Sequence, residues 1–142
     1  MKKEVRITVR GTQINDGTPE TMELITGGTM TGRNGRFAIS YTETELTGTP
    51  GVVSTFLILN PERVVLTRDG PVRSRMLFVK GVKDESLYDM GFGTLLLGVY
   101  TKDIRVDLTE DGGRLFIDYT VEIEHAVSNQ NIYEVIIEPL GS

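Results

Sequence analysis

The segment "TMTGRNGRFAISYTETEL", Thr29 to Leu46, decides how the chain folds. At its centre is Asn34-Gly35, a dipeptide that suits the two-residue turns of β-hairpins because both residues accept positive φ angles. On each side, apolar side chains alternate with small or polar ones, which is the period-two pattern of a strand with one buried face. A two-residue loop places Phe37 beside Gly32 and gives both strands the same apolar face. The segment therefore predicts an antiparallel hairpin.

The apolar face of this hairpin turns acidic towards its end. Alternate residues of a strand share a face, so Phe37, Ile39, Tyr41, Glu43 and Glu45 lie on one side. The opposite face pairs small and polar residues, as a solvated face does. The two carboxylates therefore point inward or towards a mouth. Either they lie at a hydrated rim, or they meet cationic or hydrogen-bonding groups inside.

The rest of the chain repeats these hairpin signals without a helical period. Asp69-Gly70 and Asp111-Gly112-Gly113 are further turn signals, and residues 84–91 are the one stretch that could form a short helical turn. The predicted strands cover residues 3–13, 20–32, 36–47, 52–60, 63–69, 71–80, 93–109, 114–127 and 131–139. Strands without covering helices have to close on themselves or stack to remove their edges, and connections this short favour closure. We predict an all-β single domain over residues 1–142: an antiparallel up-and-down barrel of about eight to nine strands.

Composition excludes several classes of function. The 142 residues include no cysteine and one histidine, which excludes disulfides, Cys nucleophiles and the usual zinc sites. The formal net charge of -5 opposes nucleic-acid binding. Glu4, Arg6 and Arg10 interrupt any signal peptide, and no later apolar run is long enough for a membrane. The glycine-rich segment 91–98 lacks the context of a phosphate loop. We expect a cytoplasmic protein without metal, cofactor, nucleic acid or membrane.

The last hairpins predict further polar residues inside the barrel. With Asp111-Gly112 as the loop, Tyr119 and Tyr100 face inward, and so does His125 at the far end of the stripe. If Asn129-Gln130 turns the chain, Glu134 lies opposite His125, and the two side chains would orient a ligand or hold a water.

The arginines near Asp69-Gly70 leave two interpretations open. Arg68, Arg73 and Arg75 share one face of the predicted hairpin, and both of its faces are half apolar. Outward arginines are usual, because buried charges require partners. Inward arginines would neutralise Glu43 and Glu45 or bind an anionic head group.

Four short motifs together resemble a known family. They are Tyr41-Thr-Glu43, Arg68-Asp-Gly70, "LYDMGFGTLLLGVYT" (Leu87 to Thr101) and the Gly-Gly-x-Leu-x-Ile-x-Tyr run of residues 112–119. In this order they resemble the YwiB-like family of uncharacterised bacterial proteins. The resemblance implies a calycin-like barrel of lipocalin shape and favours ligand binding by analogy. It implies no catalytic residue.

We therefore predict a non-enzymatic barrel that binds a small amphipathic or anionic molecule in its interior. The candidate cavity residues are Tyr41, Glu43, Glu45, Arg68, Arg75, Tyr119, His125 and Glu134.

Two alternatives remain. The first is an interaction module, such as a homodimer, that uses outward apolar residues, with Leu46, Phe116, Tyr133 and Val135 as candidates. The second is an enzyme with Glu43, Glu45 or His125 as general acid or base. The spacing of the two glutamates is compatible with a paired-carboxylate glycosidase, but the chain has no tryptophan to line a sugar cleft.

Overall fold

The computed structural model describes residues 2–43, 51–70, 73–89 and 93–140. Ten antiparallel strands make up nearly all of these ranges: β1 (Lys2–Asn15), β2 (Thr18–Arg33), β3 (Arg36–Thr42), β4 (Val53–Asn60), β5 (Arg63–Asp69), β6 (Ser74–Val79), β7 (Lys83–Asp89), β8 (Thr94–Thr109), β9 (Gly112–Ile123) and β10 (Ala126–Pro139). Within the same ranges, no helix is long and apolar enough to cross a membrane.

The strands form a single sheet that nearly closes into a barrel. Its order is β6-β5-β4-β3-β2-β1-β10-β9-β8-β7, so consecutive strands are neighbours and β1 pairs with β10. The connection between the two end strands is tied to β8. The Gly81 amide donates to the Thr101 carbonyl at 2.8 Å, and the Thr101 amide donates to the Val82 carbonyl at 3.3 Å. This confirms the predicted antiparallel barrel, with ten strands rather than about eight to nine.

The additional strand lies where a helical turn was expected, and that expectation is wrong for residues 84–89. Strand β7 pairs residue by residue with β8, from Lys83 opposite Tyr100 to Asp89 opposite Thr94. The ladder satisfies the backbone groups that a helical turn would otherwise have bonded.

The β2-β3 hairpin has the predicted register. Asn34 and Gly35 form the turn with φ of 54° and 77°, and Phe37 lies opposite Gly32. Gly28 lies opposite Tyr41, and a Cβ at Gly28 would approach the Ser40 carbonyl oxygen to 2.3 Å. Only glycine therefore lets the two strands meet beside Tyr41.

The core of the barrel consists of aliphatic and aromatic side chains from the inner faces of β1 to β6 and β8 to β10. Its fully buried members include Ile7, Met30, Ile39, Phe56, Ile58, Val64, Phe78, Leu115, Ile117 and Val135. Burial of such side chains contributes about 1.5–3 kcal/mol each.

A β-bulge in β8 corrects one predicted orientation. The β8-β9 register shifts between Thr101 and Asp103, so the strand changes its face there. As a result Thr101 is fully buried, whereas Tyr100, predicted to face inward, is 42% exposed. Tyr119 stays on the inner face, opposite Thr101.

The turn between β9 and β10 lies earlier than predicted. Glu124 and His125 form it with φ of 51° and 70°, and Ala126 pairs with Ile123. The predicted turn at residues 129–130 is wrong. Beyond the turn, the β9-β10 register shifts by one residue between Val127 and Asn129, and this β-bulge exchanges the two faces of the rest of β10 relative to the predicted register.

Candidate functional site

A cavity of about 390 Å³ opens at the mouth of the barrel. The long β1-β2 hairpin and the strands β9 and β10 surround it on one side, and β3 and β5 on the other. Its lining is mixed, with aromatic, aliphatic, amide and charged groups: Val9, Gly11, Thr12, Gln13, Glu20, Thr21, Met22, Leu24, Tyr41, Glu43, Arg68, Tyr119, Asn131, Ile132 and Tyr133.

A buried ion pair lies in the wall of this pocket. Arg68 Nε donates to Glu43 Oε2 at 3.0 Å, and Arg68 Nη2 lies 2.9 Å from the same oxygen. Ser54 Oγ donates to this oxygen at 2.7 Å. The Glu43 side chain is 8% exposed and that of Arg68 is 25% exposed. Glu43, the first carboxylate of the acidic stretch just after β3, is therefore bonded to a cation and a hydroxyl inside the barrel.

The strand registers explain why these groups meet. Tyr41 pairs with Ser54 across β3 and β4, and Ser54 pairs with Arg68 across β4 and β5. These three residues share one inner row, and Glu43 lies just beyond it. The Glu43 amide donates to the Val52 carbonyl at 2.7 Å, and its carbonyl accepts from Gly51 at 3.1 Å. The backbone thus holds the Glu43 carboxylate beside Arg68.

Three tyrosines surround the ion pair on the apolar side. The rings of Tyr119 and Tyr133 stack with centroids 5.8 Å apart, and a side-chain hydrogen bond joins them. Phe56 connects the cluster, with its ring centroid 5.7 Å from Tyr133 and 6.5 Å from Tyr41. Such pairs stabilise by about 0.5–1.5 kcal/mol beyond their burial.

The phenols of the pocket stay protonated at neutral pH. Burial, followed by the neighbouring Tyr133 and Glu43, raises the pKa of Tyr41 well above its usual range. Burial likewise raises the pKa of Tyr119 and the pKa of Tyr133. The pocket therefore offers neutral hydroxyl groups that both donate and accept.

Four of the predicted cavity residues line this pocket: Tyr41, Glu43, Arg68 and Tyr119. Arg68 lies inside because it pairs with Ser54 on the inner face of β4. Across β5 and β6 it pairs with Ser74, over a connection longer than a two-residue loop at Asp69-Gly70. The same pairing puts Arg75 opposite Thr67 on the outer face, exposed and apart from Arg68. The predicted common face of Arg68 and Arg75 is therefore wrong.

Two other candidates, His125 and Glu134, are not brought to the pocket. His125 lies in the β9-β10 turn with 68% of its side chain exposed, and its Nδ1 lies 3.7 Å from Glu85 Oε2. Glu134 lies on the outer face between Arg10 and Phe116. The predicted inward pair of His125 and Glu134 is wrong, because His125 lies in the turn itself and the bulge in β10 puts Glu134 on the outer face. Glu45 lies outside the described residues.

The exchanged faces of β10 also correct the set of outward apolar residues. Tyr133 and Val135, predicted to be exposed, lie inside, and Val135 is fully buried. Phe116 is on the outer face, with the Arg105 guanidinium 5.5 Å above its ring. Leu46 lies outside the described residues.

Sequence reasoning missed several pocket residues: Gln13, Glu20, Ser54, Asn131 and Tyr133. Ser54 carried a signal, because it interrupts the apolar alternation of Val52, Phe56 and Ile58 as Glu43 interrupts that of β3. Tyr133 and Asn131 depended on the face of β10.

The pocket chemistry favours hydrogen bonding over proton transfer. Within the described ranges, no group of three or more His, Asp or Glu side chains is placed to hold a metal ion. Glu43 is already bonded to Arg68 and Ser54, and His125 lies on an exposed turn and does not line the pocket. What the pocket presents is an apolar wall beside a polar patch.

Comparison with known proteins agrees with this architecture. Residues 7–135 match the family described as Domain of unknown function (DUF1934). The chain is 32% identical over 125 residues to the "Uncharacterized beta-barrel protein YwiB" of Bacillus subtilis (strain 168), covering 87% of this chain and 86% of that protein. The crystal structure of ywiB protein from Bacillus subtilis matches with a TM-score of 0.75 and 23% identity, covering 95% of this chain and 92% of the other.

Proposed function

The chain belongs to the DUF1934 family of β-barrel proteins, as its motifs suggested, and from its pocket we propose that it binds one small amphipathic molecule in the mouth of the barrel without catalysing a reaction. Small barrels that leave interior space, such as lipocalins, hold a single ligand in this way. A volume of about 390 Å³ lies in the lower part of the range of ligand pockets.

The observation that supports the proposal is a satisfied ion pair inside an open pocket. A buried pair of this kind is weak evidence for stability, because desolvation offsets much of its attraction. Glu43 just after β3, Ser54 on β4 and Arg68 on β5 therefore occupy positions that apolar side chains would fill at lower cost. Binding of the polar group of a ligand would explain why these positions are polar, which packing alone does not.

The remaining lining residues would contact the apolar part of an amphipathic ligand. Val9 and Leu24 are buried at the bottom of the pocket, and Met22 is half exposed at its rim. Together with the Tyr133 ring they form an apolar wall that an aliphatic or aromatic body would contact. The amides of Gln13 and Asn131 lie near the entrance and add hydrogen-bonding groups.

The test is a ligand search with a variant whose pocket is filled. Freshly purified protein is examined by native mass spectrometry, and thermal shift is then measured against a metabolite set. Gly11→Val adds a side chain towards the pocket, where its Cβ would contact the Tyr133 ring at 3.6 Å without a clash. Gly27→Val is the matched control on the same hairpin, because a Cβ there meets nothing within 4 Å.

We expect a bound species or a stabilising ligand in the wild type and in Gly27→Val, and at least about a tenfold loss of affinity in Gly11→Val. Equal affinity of all three proteins would place the ligand elsewhere. The absence of any bound species and of any stabilising compound would contradict ligand binding.

A further inference from the structure

We propose that Glu43 determines the ligand class of this pocket, and that it makes the pocket select uncharged hydrogen-bonding ligands over anionic ones. The inference rests on the proposed binding function and goes further, because it names the chemistry of the ligand's polar end: an alcohol, amide or ester, not a carboxylate or phosphate.

The first step is that Glu43 occupies the place that a ligand anion would take. Two nitrogens of the Arg68 guanidinium, Nε and Nη2, lie 3.0 Å and 2.9 Å from Glu43 Oε2. Arginine binds carboxylates through just such neighbouring donors. An anionic ligand in this pocket would have to compete with a carboxylate that the protein itself supplies.

The second step is that Glu43 is held in place. Ser54 Oγ donates to the same oxygen at 2.7 Å. The Glu43 backbone makes two hydrogen bonds, to Val52 and from Gly51, and its side chain is 8% exposed. Displacement would leave a buried carboxylate without its cation, which is strongly unfavourable.

The third step is the charge of the lining. Among the described lining residues, the side chains with a formal charge at neutral pH are Glu20, Glu43 and Arg68, two acids against one base. The three tyrosines are neutral there. The whole chain carries a formal charge of -5. An anion therefore meets a repulsive field on approach and an occupied arginine on arrival, whereas a neutral hydroxyl or carbonyl meets phenols and amides.

The experiment uses matched pairs of ligands that differ only in the polar end. Primary alcohols and the corresponding carboxylates, from butanol with butyrate to decanol with decanoate, are titrated calorimetrically and by thermal shift at pH 7.5. The proteins are the wild type, Glu43→Gln and Glu20→Gln. Glu43→Gln keeps the shape of the side chain and an acceptor for Ser54 but removes the carboxylate from Arg68. Glu20→Gln changes the formal charge equally and leaves the ion pair intact.

For the wild type we expect each alcohol to bind about tenfold or more tightly than its carboxylate. In Glu43→Gln we expect carboxylate affinity to rise by about tenfold, since a charge-assisted bond to Arg68 becomes accessible. Alcohol affinity should stay within about threefold, and Glu20→Gln should raise carboxylate affinity by less than about threefold.

Two results would overturn the inference while leaving the binding function intact. One is a wild type that prefers carboxylates. The other is a folded Glu43→Gln protein with wild-type preference. Should Glu43→Gln not fold, the alcohol-to-carboxylate ratio of the wild type decides alone. If no pair binds to the wild type at all, the binding function fails and the inference fails with it.

Discussion

Two neighbouring rows on the inner face of β3, β4 and β5 have the same backbone setting and different tasks. The first row joins Ile39, Phe56 and Leu66, and the second joins Tyr41, Ser54 and Arg68, two residues away on each strand. The rows lie about 7 Å apart by strand rise. The first is apolar and buried, and it belongs to the core. The second is polar, and two of its members, Tyr41 and Arg68, line the pocket although Tyr41 and Ser54 are as buried as core residues. A strand pattern alone therefore does not separate core from site.

The largest effect should come from the apolar row. Phe56→Ala removes a fully buried ring that contacts Tyr41 and Tyr133, and we expect the free energy of unfolding to fall by about 3–5 kcal/mol. Urea denaturation followed by circular dichroism measures this change. Phe116→Ala, on the outer face, is the matched control and should cost about 1 kcal/mol. Equal losses for the two variants would contradict the assignment of Phe56 to the core.

The next effect should come from the polar row. Arg68→Met leaves the Glu43 carboxylate buried without its cation, and we expect a loss of about 2–4 kcal/mol, since Arg68 is itself only partly buried. Adding Glu43→Gln removes the unpaired charge and should restore part of this loss. Arg75→Met, on the outer face of β6, should change stability by less than about 0.5 kcal/mol.

The double variant makes this comparison decisive. If Arg68→Met with Glu43→Gln were no more stable than Arg68→Met alone, the loss would come from packing of the arginine stem and not from the ion pair. The polar row would then be part of the core in energetic terms.

A smaller loss of stability, confined to alkaline pH, should come from the buried tyrosines. Burial raises the pKa of Tyr41 in the folded state above its unfolded value of about 10. Stability from this group is therefore complete well below pH 10 and declines as the pH rises through 10 towards the folded pKa, because the unfolded state ionises first. We expect the free energy of unfolding to fall between pH 9 and pH 11.

Matched variants identify the source of this alkaline loss. Tyr41→Phe removes the group and should show a shallower decline over the same interval, measured by urea denaturation at half-unit pH steps. Tyr100→Phe, which changes a partly exposed phenol on β8, should follow the wild type. Identical slopes for all three proteins would mean that Tyr41 ionises as readily in the folded state as in the unfolded state.

Much of the fold and part of the site could be predicted because local signals agreed. Asn34-Gly35 set the register of the β2-β3 hairpin, and that register placed Tyr41 and Glu43 on the inner face. The inward facing of Glu43 raised the question of a partner. Arg68 was among the candidate answers because it continues the apolar alternation of Val64 and Leu66.

What could not be predicted depends on whether a strand register shifts by an odd or an even number of residues. An odd shift, from a loop or from a bulge, exchanges the inner and outer faces of the strand that follows. The longer connection after Asp69 separated Arg75 from Arg68, and the bulge between Val127 and Asn129 turned Tyr133 inward. The early turn at Glu124 and His125 was missed as well, because it has positive φ at both residues and no glycine, so the usual dipeptide signal is absent.

The smallest predicted effect tests the β9-β10 turn at Glu124 and His125. His125 holds a φ of 70°, a left-handed conformation that costs a side chain of this kind up to about 1–2 kcal/mol. His125→Gly relieves that cost but gives the unfolded chain more freedom, so we expect a net stabilisation of about 0.5 kcal/mol. Its exposed contact with Glu85 contributes little.

His125→Ala gains no relief and should be less stable than His125→Gly, as urea denaturation would show. If the alanine variant were the more stable of the two, position 125 would not be held in a left-handed conformation.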